Sequence, residues 1–152
     1  MSKETTNKLR SFLPPAAGVY NPIDILGDAQ ANRYKQALEL ALEDPKVNGV
    51  LIILTPQAMT EISQTAEIIG EISMTTQKPI LTAFMGEYTV KEGIERLAKY
   101  KIPNYSYPEH AVESFRVMYE YQSRKKQPAF SYTSFEGEKI KVRRIINQVR
   151  ER

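Results

Sequence analysis

The residues best suited to chemistry in this chain lie directly after its most apolar segment. Residues 50–54 read Val-Leu-Ile-Ile-Leu, and residues 55–60 read Thr-Pro-Gln-Ala-Met-Thr. A run of large apolar residues without alternation is typical of a parallel strand covered on both faces. Thr55 is a suitable N-cap, and Pro56 suits the first position of a helix. We therefore expect a helix to open at Thr55 and to offer free amides and its positive dipole end to an anion at the carboxyl edge of a sheet.

Polar residues and glycines elsewhere suggest loops that support this site. Asp24 and Asp28 are four residues apart, which is compatible with an acid–base pair, but Asp28 precedes a helical pattern and is better explained as an N-cap. Asp24 either orients the loop from Asn21 to Gly27 near the active centre or has no part in it. Gly27 and Gly86 are expected to form tight turns at the edge of the site.

The side-chain inventory limits other chemistry. The chain has no cysteine and one histidine, His110, so a disulfide is excluded and a transition-metal site is not expected. His110 follows Pro108 in the first turn of a predicted helix, and we interpret it as a surface residue. We expect neither a catalytic residue nor a metal site in this chain.

Composition indicates one globular domain of modest size. The chain has 152 residues, of which 41% are hydrophobic and 26% charged, and a net charge of +3. This balance does not favour nucleic-acid binding, and the arginines near the end are expected to lie on a solvated helix face or a domain contact. No apolar run is long enough to span a membrane and no signal peptide is seen, so we expect a cytoplasmic protein.

The hydrophobic pattern alternates strands with helices, which predicts a parallel sheet. We expect an α/β fold with a parallel sheet over residues 1–122 and a linker with a basic amphipathic helix over residues 123–152. The predicted strands are 47–54, 80–84 and 104–107, with a weak strand over 129–135. The predicted helices cover 4–13, 28–44, a stretch that opens at Thr55 and ends before Lys78, the region of 90–98, the region after Pro108, and 138–150.

The order of these strands leaves the most apolar one exposed on one side. The strand that contains residues 50–54 is the first one in the chain. In a doubly wound sheet, a strand this apolar has neighbouring strands on both sides. An open strand edge invites pairing with another chain. We therefore expect a sheet that is incomplete on its N-terminal side. Its open edge is expected to be covered by a second copy of the chain, by residues 129–135 or by a partner chain.

Several short blocks, taken together in this order, resemble the NDP-forming acyl-CoA synthetases, the acid–CoA ligases related to succinyl-CoA synthetase. The resemblance covers about residues 9–121, concerns the second flavodoxin-like domain only and implies a three-layer α/β, flavodoxin-like fold for residues 1–122. The blocks are Leu13-Pro14-Pro15-Ala16, Asn21-Pro22-Ile23-Asp24-Ile25-Leu26-Gly27-Asp28-Ala29, Arg33-Tyr34, Ala37-Leu38, Asp44-Pro45-Lys46-Val47-Asn48-Gly49, Ile53-Leu54-Thr55-Pro56-Gln57-Ala58-Met59-Thr60, Lys78-Pro79-Ile80, Phe84-Met85-Gly86, Gly93, Ile102-Pro103 and Pro108-Glu109-His110-Ala111-Val112.

The resemblance implies a reaction and a role. Enzymes of this family interconvert acyl-CoA, nucleoside diphosphate and phosphate with free acid, CoA and nucleoside triphosphate. A phosphorylated histidine on a mobile loop carries the phosphoryl group, and two flavodoxin-like domains each direct a helix N-terminus at it. By resemblance, the residues Thr55, Pro56, Gln57, Ala58, Met59 and Thr60 form one of those termini, supported by Asn21, Asp24, Gly27, Asp28 and Gly86.

The chain also departs from the family pattern. The family domain begins with a strand, a Gly-rich loop, a helix and a second strand, and no counterpart of these precedes Leu9. The phosphohistidine, the CoA-binding domain, the first flavodoxin-like domain and the ATP-grasp module are also missing. CoA, ATP or ADP, and magnesium are therefore expected in the full enzyme and not on this chain alone. Two alternatives stay open: a regulatory ligase-like module, as in acetyltransferase fusions, and, less favoured, a receiver-like signalling domain.

Overall fold

The computed structural model describes residues 1–126 and 137–150. The chain divides into two units, Met1–Glu120 and Tyr121–Arg152. No helix in the described ranges is both long enough and apolar enough to cross a bilayer. The helices are α1 (Lys3–Phe12), α2 (Ala31–Glu43), α3 (Ile62–Ser73), α4 (Lys91–Lys99), α5 (Pro108–Lys125) and α6 (Lys139–Arg150); the strands are β1 (Gly18–Val19), β2 (Ile23–Asp24), β3 (Val50–Leu54) and β4 (Ile80–Phe84).

Two parallel strands form the main sheet, in agreement with the predicted α/β class. β3 pairs with β4 in a register that runs from Val50 opposite Ile80 to Leu54 opposite Phe84. The predicted third strand, 104–107, is reduced to a single parallel bridge between Thr82 and Asn104. The Asn104 side chain explains this, because its Oδ1 atom accepts the Phe84 N–H at 2.8 Å and replaces the backbone acceptor of a longer ladder.

The sequence predicted that β3 is covered on both faces, and this prediction was wrong. Ile52 and Leu54 are buried, but Ile53 is 48% exposed, whereas all five residues of β4 are buried. β4 has β3 on one side and the Asn104 bridge on the other, while β3 pairs with no second strand among the described residues. The strand also starts at Val50 and not at Val47, because the Val47 N–H donates to the Asp44 carbonyl in a turn.

A second, smaller sheet lies between α1 and α2 in the chain, and its strand β2 occupies part of the predicted loop from Asn21 to Gly27. β1 and β2 form an antiparallel pair of two residues each, with Val19 opposite Ile23. Val19 packs into a small apolar cluster that joins this pair to α1 and α2; its buried members are Leu9, Leu13, Val19 and Ala37. The predicted strand over 129–135 lies outside the described residues.

The main core lies between β3, β4 and the helices α2, α3 and α4. Leu54, Ile69, Phe84 and Leu97 are among its fully or almost fully buried side chains. Close approach of α3 to Tyr100 depends on Gly70, where an added Cβ would lie 2.1 Å from the Tyr100 ring. The Tyr100 hydroxyl donates to Glu67 on α3, so this ring is fixed at both ends. The core therefore sets the position of the loops that follow β3 and β4.

Helix α4 ends in a Schellman motif whose left-handed position is occupied by a lysine and not by the usual glycine. Lys101 has a φ of 59°, and the bonds Lys101 N–H to Ala98 O and Ile102 N–H to Leu97 O are both 3.0 Å. Because a side chain is unfavourable in this conformation, we expect Lys101→Gly to raise the free energy of unfolding by about 1 kcal/mol. Urea denaturation checks this, with Lys99→Gly inside the helix as the matched control that should destabilise. Equal destabilisation by both substitutions would contradict the prediction.

Candidate functional site

The loop after β3, residues 55–61, lies at the carboxyl end of the sheet. The prediction of a helix that opens at Thr55 was wrong, because α3 begins at Ile62. The Gln57 N–H donates to Thr60 Oγ1 at 2.8 Å, and the Thr60 N–H donates to the Gln57 carbonyl at 3.0 Å. This local turn occupies backbone N–H and C=O groups that a helix through residues 57–60 would need for its own hydrogen bonds. Thr55 is therefore not an N-cap, and Pro56 is not the first helical residue.

The N-terminus of α3 is only partly satisfied, with the Ser63 side chain hydrogen-bonded to the Glu92 carboxylate. Its N-cap residue, Glu61, makes no side-chain bond to the first turn. The amides of Ser63 and Gln64 in the first turn have no backbone acceptor within the described part of the chain. The displaced helix start therefore still places amide donors and the positive end of a helix dipole after β3, a few residues later than the sequence suggested.

Glu61 is a residue that the sequence interpretation missed. Its Oε2 atom accepts the Ala31 N–H at 3.0 Å, so it places a carboxylate on the first residue of α2. This satisfies one of the orphan donors of α2 and complements the dipole of that helix. The sequence carried no sign of this contact, because the two residues are thirty positions apart. Glu61 is the N-cap residue of α3, but its side chain bonds the N-terminus of α2 and not that of α3.

Two predicted supporting glycines lie against the loop. An added Cβ on Gly27 would be 3.7 Å from the Gln57 Nε2 atom, which is ordinary contact. Gly86 has a φ of +149°, and its added Cβ would be 2.7 Å from both Pro56 Cγ and Thr89 Oγ1. Both the backbone conformation and the space therefore require glycine at position 86. The loops after β2, β3 and β4 meet at this point.

The aspartates hold the loop before α2 and do not form an acid–base pair. Asp24 Oδ1 accepts the Leu26 N–H at 2.9 Å, which supports Leu26 at a φ of 68°. Asp28 was predicted to cap α2, but the N-cap is Gln30. A turn from Leu26 to Ala29 delays the helix, and the Asp28 carboxylate pairs with Arg33 at 2.6 Å. Hydrogen bonding from Arg33 lowers the pKa of Asp28, so that carboxyl is an ionised surface partner.

The other candidate residues lie elsewhere. Asn21 lines a cavity along β3 with the Lys46–Ile53 stretch. His110 is exposed in the first turn of α5, with its ring edge-on to Tyr107 at 6.4 Å between centroids. Over the described ranges, no three His, Asp or Glu side chains cluster in a way that suits a metal ion.

Comparison with known proteins identifies the family. Residues 1–128 match the model of the Ligase-CoA domain. The chain belongs to this family. The match includes β3, the loop over 55–61 and the glycine turns described above, and it extends further at both ends than the blocks noted in the sequence. This Ligase-CoA chain therefore carries the predicted resemblance over most of its length.

Relatives of this Ligase-CoA chain are ADP-forming ligases. It is 33% identical to the 4-hydroxybutyrate–CoA ligase [ADP-forming] of Nitrosopumilus maritimus over 94% of this chain and 20% of that protein. It is 40% identical to acetate–CoA ligase [ADP-forming] I of Archaeoglobus fulgidus over 78% of this chain and 16% of that protein. The chain thus spans about a fifth or less of these relatives.

A solved structure shows the same fold. The acetyl-coenzyme A synthetase 1 of Ca. Korarchaeum cryptofilum, solved in complex with phosphate and ADP, superposes with a TM-score of 0.73 and 28% identity. The superposition covers 80% of this chain and 27% of that one. The flavodoxin-like class predicted from the sequence is therefore confirmed, as is the relationship to ADP-forming acyl-CoA synthetases.

Proposed function

We propose that this chain serves as one domain of an NDP-forming acid–CoA ligase, which interconverts acyl-CoA, nucleoside diphosphate and phosphate with acid, CoA and nucleoside triphosphate. In this role the loop over 55–61 and the N-terminus of α3 receive a phosphohistidine carried by another domain. The observation that carries the proposal is the pair of first-turn amides of Ser63 and Gln64, which have no backbone acceptor within the described residues. Such donors favour a dianionic phosphoryl group.

The site positions an anion and does not perform the chemistry alone. A helix terminus contributes about 0.3–2 kcal/mol to a bound negative charge. Residues 55–64 contain no histidine, lysine or arginine that would act as carrier or clamp. We assign the phosphohistidine, CoA, the nucleotide and magnesium to the other parts of the enzyme, as the family resemblance implies. Isolated, the chain is proposed to have no ligase activity.

The proposed partners are the remaining ligase domains or subunits. By resemblance these are a CoA-binding domain, a first flavodoxin-like domain and an ATP-grasp module. Support comes from a relative that is itself named as a subunit: the α subunit of acetate–CoA ligase [ADP-forming] II of Pyrococcus furiosus is 34% identical over 72% of this chain. Association of two copies through the open edge of β3 is the alternative assembly, and light scattering of the purified chain tests it.

A domain graft tests the proposed function. The segment of the Nitrosopumilus maritimus ligase that matches this chain is replaced by the chain itself, and nucleoside triphosphate formation is followed in a coupled assay. We expect the graft to be active, the ligase with the segment deleted to be inactive, and the isolated chain to form no nucleoside triphosphate. Activity of the isolated chain, or an inactive graft that still folds and binds nucleotide, would contradict the proposal.

A further inference from the structure

Glu61 takes part in the N-termini of two helices at once. Its backbone is the N-cap of α3, and its carbonyl accepts the Thr65 N–H at 2.8 Å, the first backbone bond of that helix. Its Oε2 atom accepts the Ala31 N–H, the first amide of α2, at 3.0 Å. One residue therefore fixes the start of α3 relative to the start of α2.

The N-terminus of α2 provides a strong reason for this contact. Its own N-cap residue, Gln30, makes no side-chain bond, and its first turn contains no acidic residue. Ala31 is fully buried, so its N–H would be costly to leave without an acceptor. A carboxylate is a stronger acceptor than a neutral group, which favours the bond from Ala31 to Glu61 further.

The same contact determines what the N-terminus of α3 offers. An acidic side chain at an N-cap can accept the first amides of its own helix. The Glu61 side chain makes no such bond, and the described part of the chain provides no backbone acceptor for the Ser63 and Gln64 amides. The bond to Ala31 therefore keeps a negative side chain away from the amides of α3.

The contact also supports one end of the loop over 55–61. Near its start, Pro56 lies against Gly86, where an added Cβ would be 2.7 Å from Pro56 Cγ. In its middle, the Gln57 N–H donates to Thr60 Oγ1 at 2.8 Å. At its end, the Glu61 side chain is bonded to α2. Loss of this last bond would release the end of the loop from which α3 begins.

We propose that Glu61 is a positioning residue for the phosphoryl group. By bonding Ala31, it aligns the N-terminus of α3 and leaves the Ser63 and Gln64 amides open to an anion. This role rests on the proposed function, because it requires those amides to receive the phosphohistidine. It depends on the reach of the side chain and not on its charge. Glutamine keeps the reach and an acceptor oxygen, whereas aspartate keeps the charge but is one methylene shorter.

Amide hydrogen exchange of the full chain tests the contact. Ala31 should exchange at least about fivefold faster in Glu61→Ala and Glu61→Asp than in the native chain, because its N–H loses its acceptor. Glu61→Gln should keep the native rate at Ala31. In Glu61→Asp, the Ser63 and Gln64 amides should exchange more slowly, because aspartate is a favoured N-cap of its own helix. Native exchange at Ala31 in all three variants would overturn the inference.

The grafted ligase tests the role in the reaction. Phosphoenzyme discharge, followed by rapid quenching, should be near native in Glu61→Gln and about tenfold slower in Glu61→Ala, less than the roughly hundredfold cost of a 1 Å displacement. Glu61→Asp should be at least as slow as Glu61→Ala although its helix is better capped. Glu71→Ala, at an exposed residue near the other end of α3, is the matched control and should keep the native rate.

The order of these rates separates positioning from a contact that only stabilises the fold. Nucleotide affinity should stay unchanged in every variant, because the nucleotide is assigned to other parts of the enzyme. Native discharge in Glu61→Ala and Glu61→Asp, or slow discharge in Glu61→Gln with a native rate in Glu61→Asp, would overturn this inference and leave the proposed function standing. A native graft that forms no phosphoenzyme would overturn the proposed function and this inference with it.

Discussion

Phe84→Ala should lower the free energy of unfolding by about 3–5 kcal/mol, the largest effect of any single truncation considered for this chain. Phe84 is 2% exposed and belongs to the main core cluster at the end of β4. Its ring lies beside Gly93 of α4, where an added Cβ would be 3.4 Å from two ring carbons. Removing the ring therefore leaves a cavity between the sheet and α4, which cannot collapse without moving the helix.

Chemical denaturation of the purified chain measures this loss. Met74→Ala is the control, because Met74 is 75% exposed and its truncation should change stability by less than about 0.5 kcal/mol. Where Phe84→Ala does not fold, Phe84→Leu provides the comparison, since it keeps most of the side-chain volume and should lose less stability. A Phe84→Leu variant as stable as the native chain, or a Met74→Ala loss equal to that of Phe84, would contradict the packing described here.

Gly86→Val in the grafted ligase should reduce kcat by about a hundredfold, because displacing a positioning loop by about 1 Å costs a factor of this size. The added side chain would meet Pro56 Cγ and Thr89 Oγ1, each 2.7 Å from the Cβ position, and a φ of +149° is unfavourable for a β-branched residue. The clash falls on Pro56 of the loop over 55–61 and on Thr89 in the turn after β4. The substitution therefore tests whether the position of this loop matters to the reaction.

Gly137→Val is the matched control for this substitution. An added Cβ at Gly137 would meet no atom of the described residues within 4 Å, so the same chemical change should leave both kcat and stability near their native values. Nucleotide affinity is measured in parallel, because a general loss of structure would weaken binding as well as turnover. Unchanged kcat in a folded Gly86→Val graft would show that the loop over 55–61 has no part in the reaction.

The hydrophobic pattern was sufficient to locate most of the main elements. The unbroken apolar runs of β3 and β4 and the helical spacing of Ile62, Ala66, Ile69 and Ile72 are local properties of the sequence, and the structure has these elements. The family blocks also depend on local sequence. They placed the loop after β3 at the carboxyl end of a parallel sheet, next to the turn at Gly86.

The errors arose where side chains compete with the backbone or where distant residues meet. Thr60 closes a turn onto Gln57 and delays α3; Arg33 takes the Asp28 carboxylate away from the start of α2; and Asn104 shortens the third strand to one bridge. Each of these contacts depends on three-dimensional geometry that the spacing of residues in the sequence does not encode. The contact of Glu61 with Ala31 spans two elements and had no local signal.

The most direct test of the central claim measures the phosphohistidine itself. The grafted ligase is labelled with γ-³²P-ATP, and the formation and discharge of the phosphoenzyme are followed by rapid quenching. If the N-terminus of α3 receives the phosphoryl group, the graft should form and discharge the phosphoenzyme, and Gly86→Val should slow both steps while nucleotide affinity stays unchanged. Equal rates in the native graft, in Gly86→Val and in a ligase that lacks this segment would contradict the account.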